Sequence, residues 1–132
     1  MNTKLLMSTS AILMIMIGLV LSFMPKEILS VLDITTTDLT MPLILQLTGA
    51  LYFGFGIMNW MAKTVLIGGI YAKPLCIGNF AHFMIAALAL IKNLMYNSTA
   101  SKYIWILTII YALLAIAFGL ILMTNPGKKT TD

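Results

Sequence analysis

The chain has 132 residues, of which 61% are hydrophobic and only 9% are charged, and its formal net charge is +4. A soluble domain of this size would expose large apolar patches to water with such a composition, so the protein is not a water-soluble globular domain. The single cysteine, Cys76, excludes an intrachain disulfide and every metal site that needs several cysteines.

Four long apolar stretches fill most of the chain, at about 5–24, 39–61, 75–95 and 103–123. A hydrocarbon core of roughly 30 Å needs about 20 helical residues, and each stretch has that length. The apolar runs are continuous rather than alternating, which argues against the strands of a membrane barrel. The sequence therefore predicts an all-α protein, an integral membrane antiparallel four-helix bundle that forms a single four-span domain over residues 1–132.

The first span carries hydroxyl side chains close to its start, at Ser8, Thr9 and Ser10. After it, several aliphatic residues alternate with Lys26, Glu27 and Asp33. This mixture predicts a short helix over about 26–34 that lies in the outer membrane interface.

Asp38 precedes the second span and is a good N-cap for it. Along this span one helical stripe combines small, polar and aromatic residues: Gln46, Gly49, Ala50, Phe53, Gly56 and Trp60. Ala50 and Gly54 also have the spacing at which small residues let two membrane helices approach closely. We therefore expect this face of the second helix to pack tightly.

Lys73-Pro74 indicates the start of the third span, because proline suits the first turn of a helix. One stripe of this helix holds Gly78, Asn79, His82, Ala86, Ala89 and Asn93. We expect the second and third helices to be antiparallel neighbours. The predicted helix-packing residues are Gly49, Ala50, Gly54, Gly56, Gly78, Ala86 and Ala89.

The fourth span carries Thr108 and Tyr111, and the lysines decide the orientation of all four spans. Four spans place Lys4, Lys63, Lys73, Lys128 and Lys129 on one side of the membrane, and Lys26, Lys92 and Lys102 on the other. Under the positive-inside rule, the N and C termini are predicted to be cytoplasmic.

The polar side chains of the spans are the candidates for a binding site, because each must find a partner in the membrane. In the predicted orientation, Asn59, Asn79 and His82 lie in the cytoplasmic half, with Asn59 within reach of Asn79 or His82. Trp60 and Tyr71 flank them. This set predicts an inner-leaflet polar pocket that binds a ligand, with interhelical hydrogen bonding as the alternative role of the same residues.

The sequence offers few groups for catalysis, and we assign no catalytic residue and no cofactor. No acidic residue lies in any span, which excludes a carboxylate relay. A lone histidine is a poor metal or haem site, so no metal is expected. A dyad of His82 with Ser8 or Ser10 is conceivable, but it lacks an acid to orient the imidazole.

A set of residues in the middle third of the chain runs from Gly49 through Asn59-Trp60, Lys63, Gly69-Ile70-Tyr71, Lys73-Pro74, Asn79, His82 and Lys92. This set resembles a pattern in small, uncharacterised four-helix bacterial inner-membrane proteins. The resemblance implies a multi-pass protein of the bacterial inner membrane. That family has no assigned activity, so the resemblance transfers no functional residue, although it draws attention to Asn59, Trp60, Asn79 and His82.

These observations predict a non-catalytic integral membrane protein, either an accessory subunit or a binder of a lipid or another hydrophobic small molecule. Its expected partners are the lipid bilayer and either further copies of itself or another membrane protein. No nucleic-acid partner is expected, because the lysines are scattered at span ends. The alternatives are an oligomeric transporter or channel for small solutes, and a membrane enzyme with His82 as its base.

Overall fold

The computed structural model describes residues 2–35, 37–65, 72–97 and 100–124, which leaves Tyr71, Lys128 and Lys129 outside the described residues. Within these ranges the regular structure consists of five α-helices: α1 (Thr3–Phe23), α2 (Pro25–Val31), α3 (Thr40–Ala62), α4 (Lys73–Tyr96) and α5 (Lys102–Thr124). The predicted all-α class is confirmed. Each long helix begins and ends within two residues of the predicted span.

The four long helices, α1, α3, α4 and α5, contain 21 to 24 residues each. At 1.5 Å per residue they reach roughly 32–36 Å, enough to cross a hydrocarbon core of about 30 Å. All four are also apolar enough to do so. The protein is therefore a small multi-pass membrane protein.

Short-range polar contacts define where these helices begin. The side chain of Asn2 accepts a hydrogen bond from the Leu5 N–H at 3.2 Å, at the start of α1. Asp38 Oδ1 accepts one from the Thr40 N–H at 2.9 Å, so Asp38 caps the first turn of α3 from one residue before the N-cap position, Leu39. Hydrogen bonds from the backbone N–H and from the side chain of Thr40 lower the pKa of the Asp38 carboxyl below its ordinary value of 3.8.

The short helix α2 follows α1 after a single residue, Met24, and starts at Pro25. It ends at Val31, three residues before the predicted boundary. Asp33 has a φ of 56°, and the Ile34 N–H donates to the Leu29 carbonyl at 2.9 Å. This is the hydrogen-bonding pattern of a Schellman motif, in which one left-handed residue stops a helix.

The chain divides into two compact units, residues 2–64 and residues 65–132. The first unit contains α1, α2 and α3. Gln46 donates to the Ser22 carbonyl at 3.3 Å at one end of the α1–α3 pair, and Asn59 donates to Ser10 at 3.4 Å at the other. The helices α1 and α3 are therefore antiparallel.

Glycines bring the backbones of α1 and α3 together. A Cβ added at Gly18 would lie 2.8 Å from the Gly49 carbonyl oxygen, and one added at Gly49 would lie 2.7 Å from the Ser22 nitrogen. At Gly56 the added atom would lie 2.9 Å from the Ile15 nitrogen. No side chain fits at these positions without moving backbone, so this interface depends on residues that lack one.

The second unit contains α4 and α5, which are also antiparallel. Cys76 near the start of α4 contacts the Phe118 carbonyl near the end of α5, with a sulfur–oxygen distance of 3.8 Å. Further along α4, the Phe83 ring meets the Tyr111 ring edge to face at 5.4 Å and stacks on the Phe118 ring at 5.8 Å. All three rings are buried, so aromatic side chains form the core of this pair. A single four-span domain that includes both units stays a prediction.

Candidate functional site

The five predicted ligand-binding residues are distributed over both units. Asn59 and Trp60 lie near the end of α3 in the first unit, whereas Asn79 and His82 lie in the first half of α4 in the second. Tyr71 lies outside the described residues. A pocket that combines all five residues therefore stays a prediction.

Asn59 is fully buried between α1 and α3. Its amide nitrogen donates to the Ser10 hydroxyl at 3.4 Å and lies 3.7 Å from the Met14 sulfur. Ser10 in turn donates to the Met7 carbonyl of its own helix at 3.0 Å. Because each polar atom buried in lipid must find a partner, this chain of contacts explains a buried asparagine without any ligand.

Asn79 is also fully buried, and its amide nitrogen donates to the Leu75 carbonyl one turn earlier in α4, at 3.0 Å. The neighbouring His82 is half-buried beside the aromatic core. Its ring meets the Phe83 ring edge to face at 5.1 Å and lies 6.0 Å from the Tyr111 ring. Asn79 is thus bonded within α4, and His82 lies beside the rings at the contact of α4 and α5.

Trp60 lies at the cytoplasmic end of α3 in the predicted orientation, and 44% of its surface is exposed. The Lys63 ammonium lies 3.1 Å from the centre of its ring, in a cation–π contact. Tryptophan and lysine at the end of a span are typical anchors in the membrane interface. This pair gives Trp60 a role that requires no ligand.

The predicted helix-packing residues differ in their surroundings. Gly49 and Gly56 are buried against α1, as described above. Gly54 is exposed, and a Cβ added there meets no atom within 4 Å. Ala50 and Ala89 are exposed as well, and Gly78 and Ala86 are half-buried. The buried face of α4 consists instead of Cys76, Asn79, Phe83 and Ala87.

A groove that the sequence did not predict lies between α4 and α5, within the second unit. It is an open groove with a volume of about 490 Å³. Every residue that lines it is apolar: Phe80 and Met84 from α4, and Ala115, Ile116, Gly119, Leu120, Leu122 and Met123 from α5. The groove suits a hydrophobic ligand and offers no group for acid–base or nucleophilic chemistry.

Gly119 lines the groove and packs closely against the Phe80 ring. A Cβ added there would lie 3.1 Å from an edge atom of the Phe80 ring. The Phe80 ring therefore occupies the space that a side chain at position 119 would need. A bulky side chain at Gly119 would displace this ring or enter the groove.

The groove occupies one end of the α4–α5 pair. Phe80 and Met84 belong to the first half of α4, and Gly119 and Met123 belong to the last two turns of α5. The exposed Lys73 stands at the start of α4, seven residues before Phe80. The groove thus lies in the half of the pair that contains the start of α4 and the end of α5.

A second concave surface, of about 450 Å³, lies in the first unit where α2 meets α3. Its lining is mixed, with Lys26, Ser30 and Asp38 beside aliphatic residues. The Asp38 carboxylate caps α3 there. Among the residues that the structure describes, no three His, Cys, Asp or Glu side chains gather into a metal site.

Comparisons of the chain with protein-family models, with curated proteins and with solved structures gave no significant match.

Proposed function

We propose that this small multi-pass membrane protein acts without catalysis and binds a lipid, or a hydrophobic small molecule of similar shape, in the groove between α4 and α5. The observation that carries the proposal is the groove itself, which is apolar throughout and lined by both helices of one compact unit. Its apolar lining and its volume suit an acyl chain.

The hydrogen bonds of the two asparagines support the choice of the groove over the polar pocket expected from the sequence. Asn59 donates to Ser10, and Asn79 donates to the Leu75 carbonyl. Both asparagines are buried and already bonded within the fold, which leaves fewer of their polar groups for a ligand. In the groove, by contrast, a ligand displaces only other hydrocarbon.

A transporter or channel has less support. The hydroxyls of Thr9, Thr48 and Thr108 donate to carbonyls four residues earlier in their own helices. Hydroxyls held in this way stabilise the helix backbone in lipid and are poorly placed to line a hydrated path.

The predicted orientation assigns the groove to a leaflet. If the termini are cytoplasmic, α4 begins and α5 ends at the cytoplasmic surface, so the groove faces the inner leaflet. The resemblance described above supports the bacterial inner membrane as the location. Both assignments are part of the proposal.

Lipid retention in native mass spectrometry tests the proposal. The protein is purified in mild detergent, mixed with a neutral phospholipid, and transferred intact into the spectrometer. We expect the wild type to retain one lipid, and we expect Gly119→Leu to lose it because the leucine side chain enters the groove.

The matched control is Gly54→Leu, since Gly54 is an exposed glycine of α3 with open space around its Cα. This variant is expected to retain the lipid as the wild type does. Equal retention by the wild type and Gly119→Leu, or equal loss in both glycine variants, would contradict binding in the groove.

A further inference from the structure

The start of α4 carries a positive charge, Lys73, on the same face of the helix as the residues that line the groove. Lys73, Ile77, Phe80 and Met84 follow one another at steps of four, three and four residues, which puts them on one face of the helix. Phe80 and Met84 line the groove, and Lys73 is exposed at the helix end nearest to them. About 10 Å of helix separates Lys73 from Phe80 along the axis.

This spacing matches the layout of a phospholipid. A lysine at a span end extends its side chain toward the headgroup layer and keeps its ammonium in the interface. A lipid whose acyl chain lies beside Phe80 would therefore have its phosphate at the depth of the Lys73 ammonium. The groove and the lysine together form one amphipathic site.

The charge of the second unit favours an anion. Its described residues, 72–97 and 100–124, include Lys73, Lys92 and Lys102 and contain no Asp or Glu. Lys102 lies at the opposite end of the helix pair, with its ammonium 5.4 Å from the centre of the Tyr103 ring. Among the residues that the structure describes at this end of the pair, Lys73 is the charged residue on the face of α4 that lines the groove.

We propose that the ligand of the groove is an anionic phospholipid, with its acyl chain between Phe80 and Leu120 and its phosphate bound by the Lys73 ammonium. This inference rests on the proposed function and adds the headgroup class. An anionic headgroup such as phosphatidylglycerol keeps its full negative charge near the lysine. A zwitterionic headgroup brings its own cation to the same place, which weakens the attraction.

Competition between two lipids with identical acyl chains tests the inference. The full-length protein is equilibrated with phosphatidylglycerol and phosphatidylcholine at equal concentration, and the bound lipid is identified by native mass spectrometry. One lysine near a membrane surface favours an anionic lipid by about fivefold, so we expect about this preference in the wild type.

We expect Lys73→Gln to lose the preference while it binds phosphatidylcholine as well as the wild type does. The matched control is Lys102→Gln, which should keep the preference because Lys102 lies at the other end of the pair. A wild type without preference, a Lys73→Gln variant that retains it, or a Lys102→Gln variant that also loses it would overturn the inference.

The same measurements separate this inference from the proposed function. Loss of phosphatidylcholine binding in Gly119→Leu supports the groove whatever the headgroup result. If Lys73→Gln loses both lipids equally, then Lys73 does not select the headgroup, and the inference is overturned. If Gly119→Leu binds both lipids like the wild type, the groove and the headgroup assignment both fail.

Discussion

The two helical pairs of this protein pack closely in different ways. One pair uses glycines, which lack a side chain, and the other uses large aromatic rings. In the first unit, Gly18, Gly49 and Gly56 let the backbones of α1 and α3 approach until no Cβ would fit between them. In the second unit, the rings of Phe83 and Phe118 fill the space between α4 and α5. Neither pair gains from water exclusion once it is in lipid, so both depend on close van der Waals contact.

The comparison suggests how packing and binding are divided between the pairs. A polar contact, Asn59 to Ser10, accompanies the glycine interface and links α3 to α1. The aromatic interface leaves an apolar groove beside it, where the Phe80 ring lies against Gly119. We infer that the first pair mainly contributes to stability and that the second pair binds the ligand.

The largest expected effect comes from Gly49→Leu in the first pair. A side chain at Gly49 would collide with the Ser22 backbone, so the helices must separate, at a cost of about 3 kcal/mol. The free energy of unfolding in mixed detergent micelles measures this loss. Gly54→Leu serves as the control and should change it by less than about 0.5 kcal/mol. Equal costs at the two positions would show that close backbone contact does not hold this pair.

Phe83→Ala tests the second pair and should cost about 2 kcal/mol, because Phe83 contacts the Tyr111 and Phe118 rings. The matched control is Phe23→Ala, since Phe23 is 79% exposed. The same unfolding measurement applies to both variants. A cost at Phe83 no larger than that at Phe23 would argue against an aromatic core.

The bond between Asn59 and Ser10 should contribute less. A double-mutant cycle with Asn59→Ala and Ser10→Ala is expected to give a coupling of about 0.6 kcal/mol, the average for hydrogen bonds between membrane helices. A second cycle with Thr9→Ala in place of Ser10→Ala serves as the uncoupled control, because the Thr9 hydroxyl donates to the Leu5 carbonyl of its own helix. If the two cycles give the same coupling, the contact of α1 and α3 does not depend on this bond.

The smallest effect concerns pH and the start of α3. The hydrogen bonds from Thr40 hold the pKa of the Asp38 carboxyl below 3.8. The cap therefore stabilises the fold above the pKa of the unfolded chain, and this contribution is lost as the pH falls through the lower pKa of the folded state. A carbon-13 titration of the carboxyl measures that pKa directly. An Asp38 pKa at or above 3.8 would contradict the capping bond, and Asp38→Asn should remove the pH dependence.

The sequence predicted the positions of the helices well, because span length and hydropathy are local properties. Asp38 and Lys73-Pro74 also indicated helix starts correctly, since caps and prolines act within one turn. The end of α2 could not be placed as well, because it depends on Asp33 in a left-handed conformation, which a sequence of aliphatic residues does not reveal.

The buried faces were harder to predict than the helices. In a helix that is apolar on every side, small residues at regular spacing do not tell which face meets a neighbour. Ala50 and Gly54 fit the expected spacing, but they are exposed. Gly18 is spaced four residues from Ser22, a spacing of small residues that also indicates a close helix contact, here with Gly49. The groove depends on which two helices pair, and no local pattern contains that information.

Photolabelling with a phospholipid that carries a diazirine on its acyl chain tests the central claim most directly. The account predicts label in residues 80–84 and 115–123, which an excess of unlabelled phosphatidylglycerol removes and which Gly119→Leu abolishes. Label spread over the exposed faces of α1, α3, α4 and α5, and unaffected by competitor lipid, would contradict a lipid site between α4 and α5.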